Sequence, residues 1–140
     1  ILLMFEPTLA VEMQVKLKRN LLVMVDTSSS MEIADSRTQP ADVEAAAQAL
    51  GKISFTQKTL TMPEDARKAA ATAKRIDLAK GILTNSELAL GTSLSEGYNL
   101  RYFTFGEKLD PASGKGEALP EAIQAAQGKD PVTRLGSAIT

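Results

Sequence analysis

Asp26, Ser28 and Ser30 occupy alternate positions in the stretch Asp26-Thr27-Ser28-Ser29-Ser30-Met31. This spacing gathers one carboxylate and two hydroxyls into a single tight loop, and all three are hard oxygen donors. Such a set suits Mg2+, Mn2+ or Ca2+ better than zinc or copper. Five apolar residues, Leu21 to Val25, run directly into it. A short, wholly apolar run bounded by polar turn residues reads as a strand buried on both faces. The donors would then lie at the carboxyl end of that strand, where open α/β sheets bind ligands. A plainer role is open to the same residues: a serine-rich turn after a buried strand serves to cap the next helix.

Composition removes most competing chemistries. The 140 residues contain neither Cys nor His, which excludes His- or Cys-ligated zinc, Ser-His-Asp triads, cysteine nucleophiles and disulfides together. A formal net charge of −1 favours no polyanionic partner such as nucleic acid, and 4% aromatic residues leave no platform for base stacking. With 44% hydrophobic and 24% charged residues, the chain reads as one globular domain of ordinary size. It opens on Ile1 and stops at Thr140 where a helix should begin, so it reads as an internal piece of a longer polypeptide. Ile1 to Phe5 suits either a short buried strand or the tail of a membrane-spanning helix, being too short to span by itself.

The elements that must position the donors follow from periodicity. Val11, Met13, Val15 and Leu17 alternate with Glu12, Gln14, Lys16 and Lys18, which predicts a strand buried on one face within an N-terminal strand region, residues 1–19. Val43, Ala46, Ala47 and Leu50 form a helical stripe closed by Gly51. Ile53 and Phe55 read as a short extended piece. Pro63 starts a further helix with Glu64 and Asp65 in its first turn. Ile76, Ala79, Ile82 and Leu83 continue a helical stripe, and between Ala66 and Leu90 the sequence does not distinguish one helix from two. Leu100, Tyr102, Phe103 and Phe105 make a strand ending at Gly106, and Asp110 to Gly116 reads as a loop. Leu119, Ala122, Ile123 and Ala126 belong to a short helix closed by Gly128, and Thr133 to Ile139 lead into another helix. Strands alternating with helices predict an α/β fold with a mainly parallel central sheet flanked by helices.

These pieces together resemble the von Willebrand factor type A (vWA) domain, a Rossmann-like fold. Asp26-Thr27-Ser28-Ser29-Ser30-Met31 resembles the first loop of its metal-ion-dependent adhesion site, which reads Asp-x-Ser-x-Ser-Met in many bacterial members. Arg75-Ile76-Asp77-Leu78-Ala79-Lys80 is similar to the start of the family's first long helix, and Leu100 to Phe105 to its second strand. Thr133-Arg134-Leu135-Gly136-Ser137-Ala138-Ile139 resembles the second metal-site loop. The resemblance implies that Ser28, Ser30 and Thr133 ligate a divalent cation, Mg2+ before Mn2+ or Ca2+, with Asp26 bound directly or through water. It further implies that a partner protein supplies an Asp or Glu carboxylate to the open position. The domain would then be an adhesion or assembly module and not an enzyme. The layout also resembles bacterial membrane-anchored members, with Ile1 to Pro7 as the end of a preceding helix, which implies membrane association with the extracytoplasmic side weakly favoured. Residues 1–140 would form a partial domain, since the family's third loop, with its acidic ligand, falls beyond Thr140. Residues 33–74 exceed the usual link to the first helix and read as a helical insertion, either partner-binding or a surface decoration.

Two alternatives stand beside this reading. The domain could be a scaffold of the same fold with an unused metal site. Val25-Asp26-Thr27-Ser28-Ser29 also resembles the apolar-Asp-Thr-Gly-Ser signature of aspartic proteases, in which paired aspartates activate water. Ser28 stands where those enzymes carry Gly, no second copy of the signature exists, and long Ala-rich helical stretches suit that all-β fold badly.

Overall fold

The computed structural model describes residues 17–56, 61–112, 121–134 and 136. They form a mixed α/β structure around a three-stranded sheet of order β1-β2-β3. Strand β1 (Arg19–Asp26) runs parallel to β2 (Tyr98–Phe105), in a register from Arg19↔Tyr98 to Asp26↔Phe105. A parallel pair demands a long crossover. Here it carries helices α1 (Pro40–Ala49), α2 (Glu64–Ala71), α3 (Arg75–Thr84) and α4 (Leu90–Ser95). Strand β3 (Leu109–Ala112) then pairs antiparallel with β2, and the one-turn helix α5 (Glu121–Gln124) follows. The described sheet is therefore mixed, with the longer β1–β2 pairing parallel and the shorter β2–β3 pairing antiparallel.

Strand geometry explains which face is covered. Side chains alternate across a strand, and the register places Leu21, Val23 and Val25 on the same face as Leu100, Tyr102 and Ala112. Ile76 of α3, Ile123 of α5 and Ala126 close over that face in one core with Val25, Tyr102 and Ala112, and Leu83 packs against it. The opposite face is only partly covered, and Leu22 there is 56% exposed. The expectation of a strand buried on both faces is thus corrected: Val25 alone in β1 is fully buried. Its run of apolar residues resembles a two-sided strand, but the described helices that share its core seal one side.

The crossover builds a second core of Val43, Ala46, Ala47 and Ala70, with Ile53, Met62 and Leu78 against it. Pro40 opens α1, where its missing N–H is not needed. The helix ends in a Schellman motif: Gly51 N–H bonds Gln48 O at 2.9 Å, Lys52 N–H bonds Ala47 O at 2.9 Å, and Gly51 holds φ +65°. Gly81 lies where α3 meets α1, since a Cβ there would stand 2.4 Å from the Ala49 carbonyl oxygen. Helix α3 thereby joins the two cores, giving Ile76 and Leu83 to the first and Leu78 to the second.

Several other expectations change. The stretch from Ala66 to Leu90 resolves into α2, α3 and the first residue of α4. The break at Thr72–Lys74 is tertiary in origin: Arg37 Nη1 donates to the Ala70 and Ala73 carbonyls at 3.2 and 3.0 Å, and Lys74 forms an extended bridge with Ala34. Ile53 and Phe55 lie in turns and bends without strand pairing. Leu109 to Ala112 is a strand where a loop was expected from Asp110, because Pro111 is tolerated on the outer strand of the described sheet. Ile82 is 40% exposed, Ala122 is also exposed, and Leu17 is 86% exposed instead of facing a core. The rest of the expected N-terminal strand, Leu119 and the helix expected up to Ile139 lie largely outside the described residues.

Candidate metal centre

The parallel register brings the last residues of β1 and β2, Asp26 and Phe105, to the same end of the sheet. Beyond Asp26 the chain turns at once. The Asp26 carboxylate (Oδ1) accepts the Ser28 N–H at 2.7 Å, a local bond typical of Asp in turns. A 3-10 turn over Ser29–Glu32 follows, with Ser28 at its N-cap position. The Ser28 side chain makes no capping bond. Its hydroxyl instead lies 2.9 Å from that of Ser30, and the residue is only 2% exposed. The plainer role of a helix-capping serine therefore does not describe this hydroxyl.

That spacing has a chemical meaning. Neighbouring ligands of an octahedral Mg2+, each at about 2.0–2.1 Å, stand about 2.9 Å apart. Ca2+, with ligands at about 2.3–2.6 Å, would spread a right-angled pair to about 3.5 Å. The Ser28 and Ser30 oxygens share an ordinary hydroxyl–hydroxyl hydrogen bond at 2.9 Å, a separation also compatible with two Mg2+ ligands. Asp26 is half-buried and uses Oδ1 for the turn, which leaves Oδ2 as a possible direct or water-bridged donor. The donor chemistry fits a small, hard cation. Among the described residues no group of three or more Asp or Glu gathers as a metal cluster, so binding here would rest on hydroxyls with one carboxylate.

The segment 127–134 packs against this loop through its backbone. Ser29 N–H bonds Asp130 O at 2.7 Å, and Asp130 N–H bonds Thr27 O at 3.1 Å, making a parallel bridge between Ser28 and Asp130. Gly128 N–H donates to Glu32 Oε1 at 2.9 Å. Arg134 N–H reaches Gly106 O at 2.9 Å, which ties the residue after Thr133 to the end of β2. Thr133 is thus carried to the same end of the sheet as Asp26, Ser28 and Ser30. Its side chain is exposed and forms no hydrogen bond among the described residues, whereas hydrogen bonds join Asp26 to Ser28 and Ser28 to Ser30.

Two features here escaped the sequence. Asp130 accepts the Thr27 hydroxyl on Oδ2 at 2.8 Å. Gly106 is the wall behind it: a Cβ on Gly106 would stand 2.0 Å from Asp130 Oδ2, so no side chain fits without displacing the carboxylate. Gly128 is similarly confined, 2.7 Å from the Ser28 carbonyl oxygen by the same measure. The only available sequence signal was the clustering of Gly106, Gly128 and Asp130 at predicted element ends, where close backbone approach is common.

Two ion pairs brace the loop from the other side. Glu32 meets Lys74 at 2.5 Å, and Arg75 donates to Asp35 from Nε and Nη2, one guanidinium edge, at 2.7 and 2.8 Å. Hydrogen bonding from Lys74, and next from the Gly128 N–H, holds the Glu32 carboxyl below its usual range. Arg75 does the same for Asp35. A groove of about 500 Å3 opens beside Glu32, lined by Lys74, Lys80, Gly128 and Lys129 among others. A second cavity, about 410 Å3, lies away from the loop between α1 and α2, where Val43, Ile53 and Met62 are flanked by Arg37 and Arg67. Its described lining holds none of the oxygen donors.

No described helix is long and apolar enough to cross a membrane. Compared with protein-family models, curated proteins and solved structures, the chain gives no significant match.

Proposed function

We propose that this chain is a vWA-like, divalent-cation-dependent protein-binding module, belonging to a larger, membrane-associated bacterial protein. The observation that carries the cation reading is the 2.9 Å pairing of the Ser28 and Ser30 hydroxyls beside Asp26 at the carboxyl end of β1. Ser28 and Ser30 would hold the cation, with Asp26 direct or through water and Thr133 from the adjoining segment. Bound there, the cation supplies an electrophilic centre that an incoming carboxylate completes. The protein's own part is to keep the donor set short of negative charge: two neutral hydroxyls and one acid leave the cation undercompensated. The groove next to the loop carries Lys80 and Lys129 beside the paired Lys74 and Glu32 and the acid Asp77, a small excess of positive charge that is compatible with a partner bringing Asp or Glu.

The hydrolase alternative draws no support from this geometry. Paired aspartates would have to share one proton, whereas Asp26 accepts the Ser28 N–H and Asp130, across the loop, accepts the Thr27 hydroxyl.

The test is calorimetric titration of Mg2+ and Mn2+ into the chain and into a Ser28→Ala/Ser30→Ala variant, with circular dichroism to establish that both fold. The parent binds and the variant does not. Equal binding by both would show that the cation sits elsewhere. No binding by the folded parent, or by a form extended past Thr140, would leave the scaffold reading.

A further inference from the structure

We propose that Asp130 is a positioning residue of this cation site, acting through Thr27 and not by touching the cation. The inference rests on the cation reading above. Its basis is the way the two loops are joined. Thr27 stands between the presumed ligand positions Asp26 and Ser28, and its neighbours on both sides have their own tasks. Its hydroxyl has one proton and two acceptors in reach, Asp130 Oδ2 at 2.8 Å and Phe105 O at 3.1 Å. The shorter, charge-assisted bond to the carboxylate is the stronger. Two backbone bonds flank it, Asp130 N–H to Thr27 O and Ser29 N–H to Asp130 O. One residue therefore grips Thr27 and Ser29, the two positions that alternate with Asp26, Ser28 and Ser30.

The consequence is geometric. Thr27 and Ser29 are both tied to Asp130, so the backbone that carries the intervening Ser28 is fixed with its hydroxyl beside that of Ser30. Asp130 is itself confined by the absence of a side chain on Gly106. Asp130 also begins the run to Thr133, so the same residue that orients the Ser28–Ser30 pair fixes the start of the segment carrying the fourth donor. Partners of this kind, one bond removed from a metal, commonly alter affinity about 10- to 100-fold.

The experiment compares Thr27→Val, Thr27→Ser, Asp130→Ala and Asp130→Asn in the full chain, by Mg2+ calorimetry and by thermal melting without metal. Thr27→Val and Asp130→Ala are expected to weaken Mg2+ binding about tenfold. Thr27→Ser and Asp130→Asn keep a hydroxyl and an acceptor oxygen and are expected to bind like the parent. If Asp130→Asn loses as much as Asp130→Ala, the carboxylate charge acts on the cation itself and the positioning role is wrong. If the disruptive variants melt lower but bind Mg2+ like the parent, the contact is structural only and the proposal is overturned. Should one disruptive variant fail to fold, the other carries the comparison. A parent chain that binds no Mg2+ overturns the cation reading, and this inference falls with it; a binding parent with indifferent variants removes this inference alone.

Discussion

The two cores of this molecule are built from different materials. Beneath the sheet, Val25, Ile76, Tyr102 and Ile123 bring branched and aromatic bulk. In the crossover, Val43 is joined by Ala46, Ala47 and Ala70, and contact comes from helices lying close together. The first kind of core is stabilised by apolar area removed from water. The second depends more on how closely backbones approach, because an alanine buries little. The oxygen donors are mounted on the first, and the polar seam of Glu32, Asp35 and Arg37 joins it to the second. The lesson is that the donor loop stands on the core with the bulkier side chains, while the crossover helices α1 and α2 are fitted to it by close contact.

Truncating the bulk should show this contrast most strongly. Ile123 is fully buried, and Ile123→Ala should cost about 3 kcal/mol in chemical denaturation, as cavity-forming changes do. A loss under 1 kcal/mol would mean that the sheet core does not dominate stability. Gly81→Ala tests the other region. The added methyl should favour the helix by about 1 kcal/mol, but it must displace the Ala49 carbonyl only 2.4 Å away. Overpacking at about 1–3 kcal/mol outweighs the gain, so the expected result is net destabilisation, with faster hydrogen exchange in α1 and α3. Net stabilisation would show that the helices approach less closely than described.

The smallest effect belongs to the seam. Glu32 and Asp35 both titrate below the ordinary carboxylate range in the folded protein, through hydrogen bonds from Lys74 and Arg75. Their contribution to stability is complete above the unfolded-state range, about pH 4, and is lost as pH falls through the lower folded values. Both pairs are solvent-accessible, so the change should be modest and weaken with salt. Melting temperatures from pH 6 to pH 3 should fall less steeply in an Asp35→Asn/Glu32→Gln variant than in the parent. Identical slopes would assign the acid sensitivity to other carboxylates.

Local signals and long-range ones divided the sequence in a physical way. Gly51 and Pro63 act within one helical turn, and the helices they punctuate end and begin where expected. The run Leu21 to Val25 announced a strand, but not that Leu22 would face outward, since that depends on which elements cover the sheet. The break between α2 and α3 was hidden because its causes, Arg37 and the Ala34–Lys74 bridge, lie far back in the chain. Pro111 disguised β3. For the site, Asp26, Ser28 and Ser30 were legible from spacing alone, whereas Asp130 became visible only once folding had brought it to Thr27, 103 positions away.

The parallel pairing of β1 and β2 also sets an order of events. Thr27 reaches Phe105 across 78 positions, and the intervening chain must be closed before that contact forms. Closing so long a loop is an entropic cost met ahead of any reward. The α1–α2 hairpin needs only neighbouring residues and can form early. The donor loop acquires its supports late, when the strands join and residues 127–134 dock. A folding chain would therefore pass through most of its helical structure with no competent oxygen cage. Any ion that binds the finished cage would reward only the last step, drawing the population toward the completed fold without speeding the first contacts.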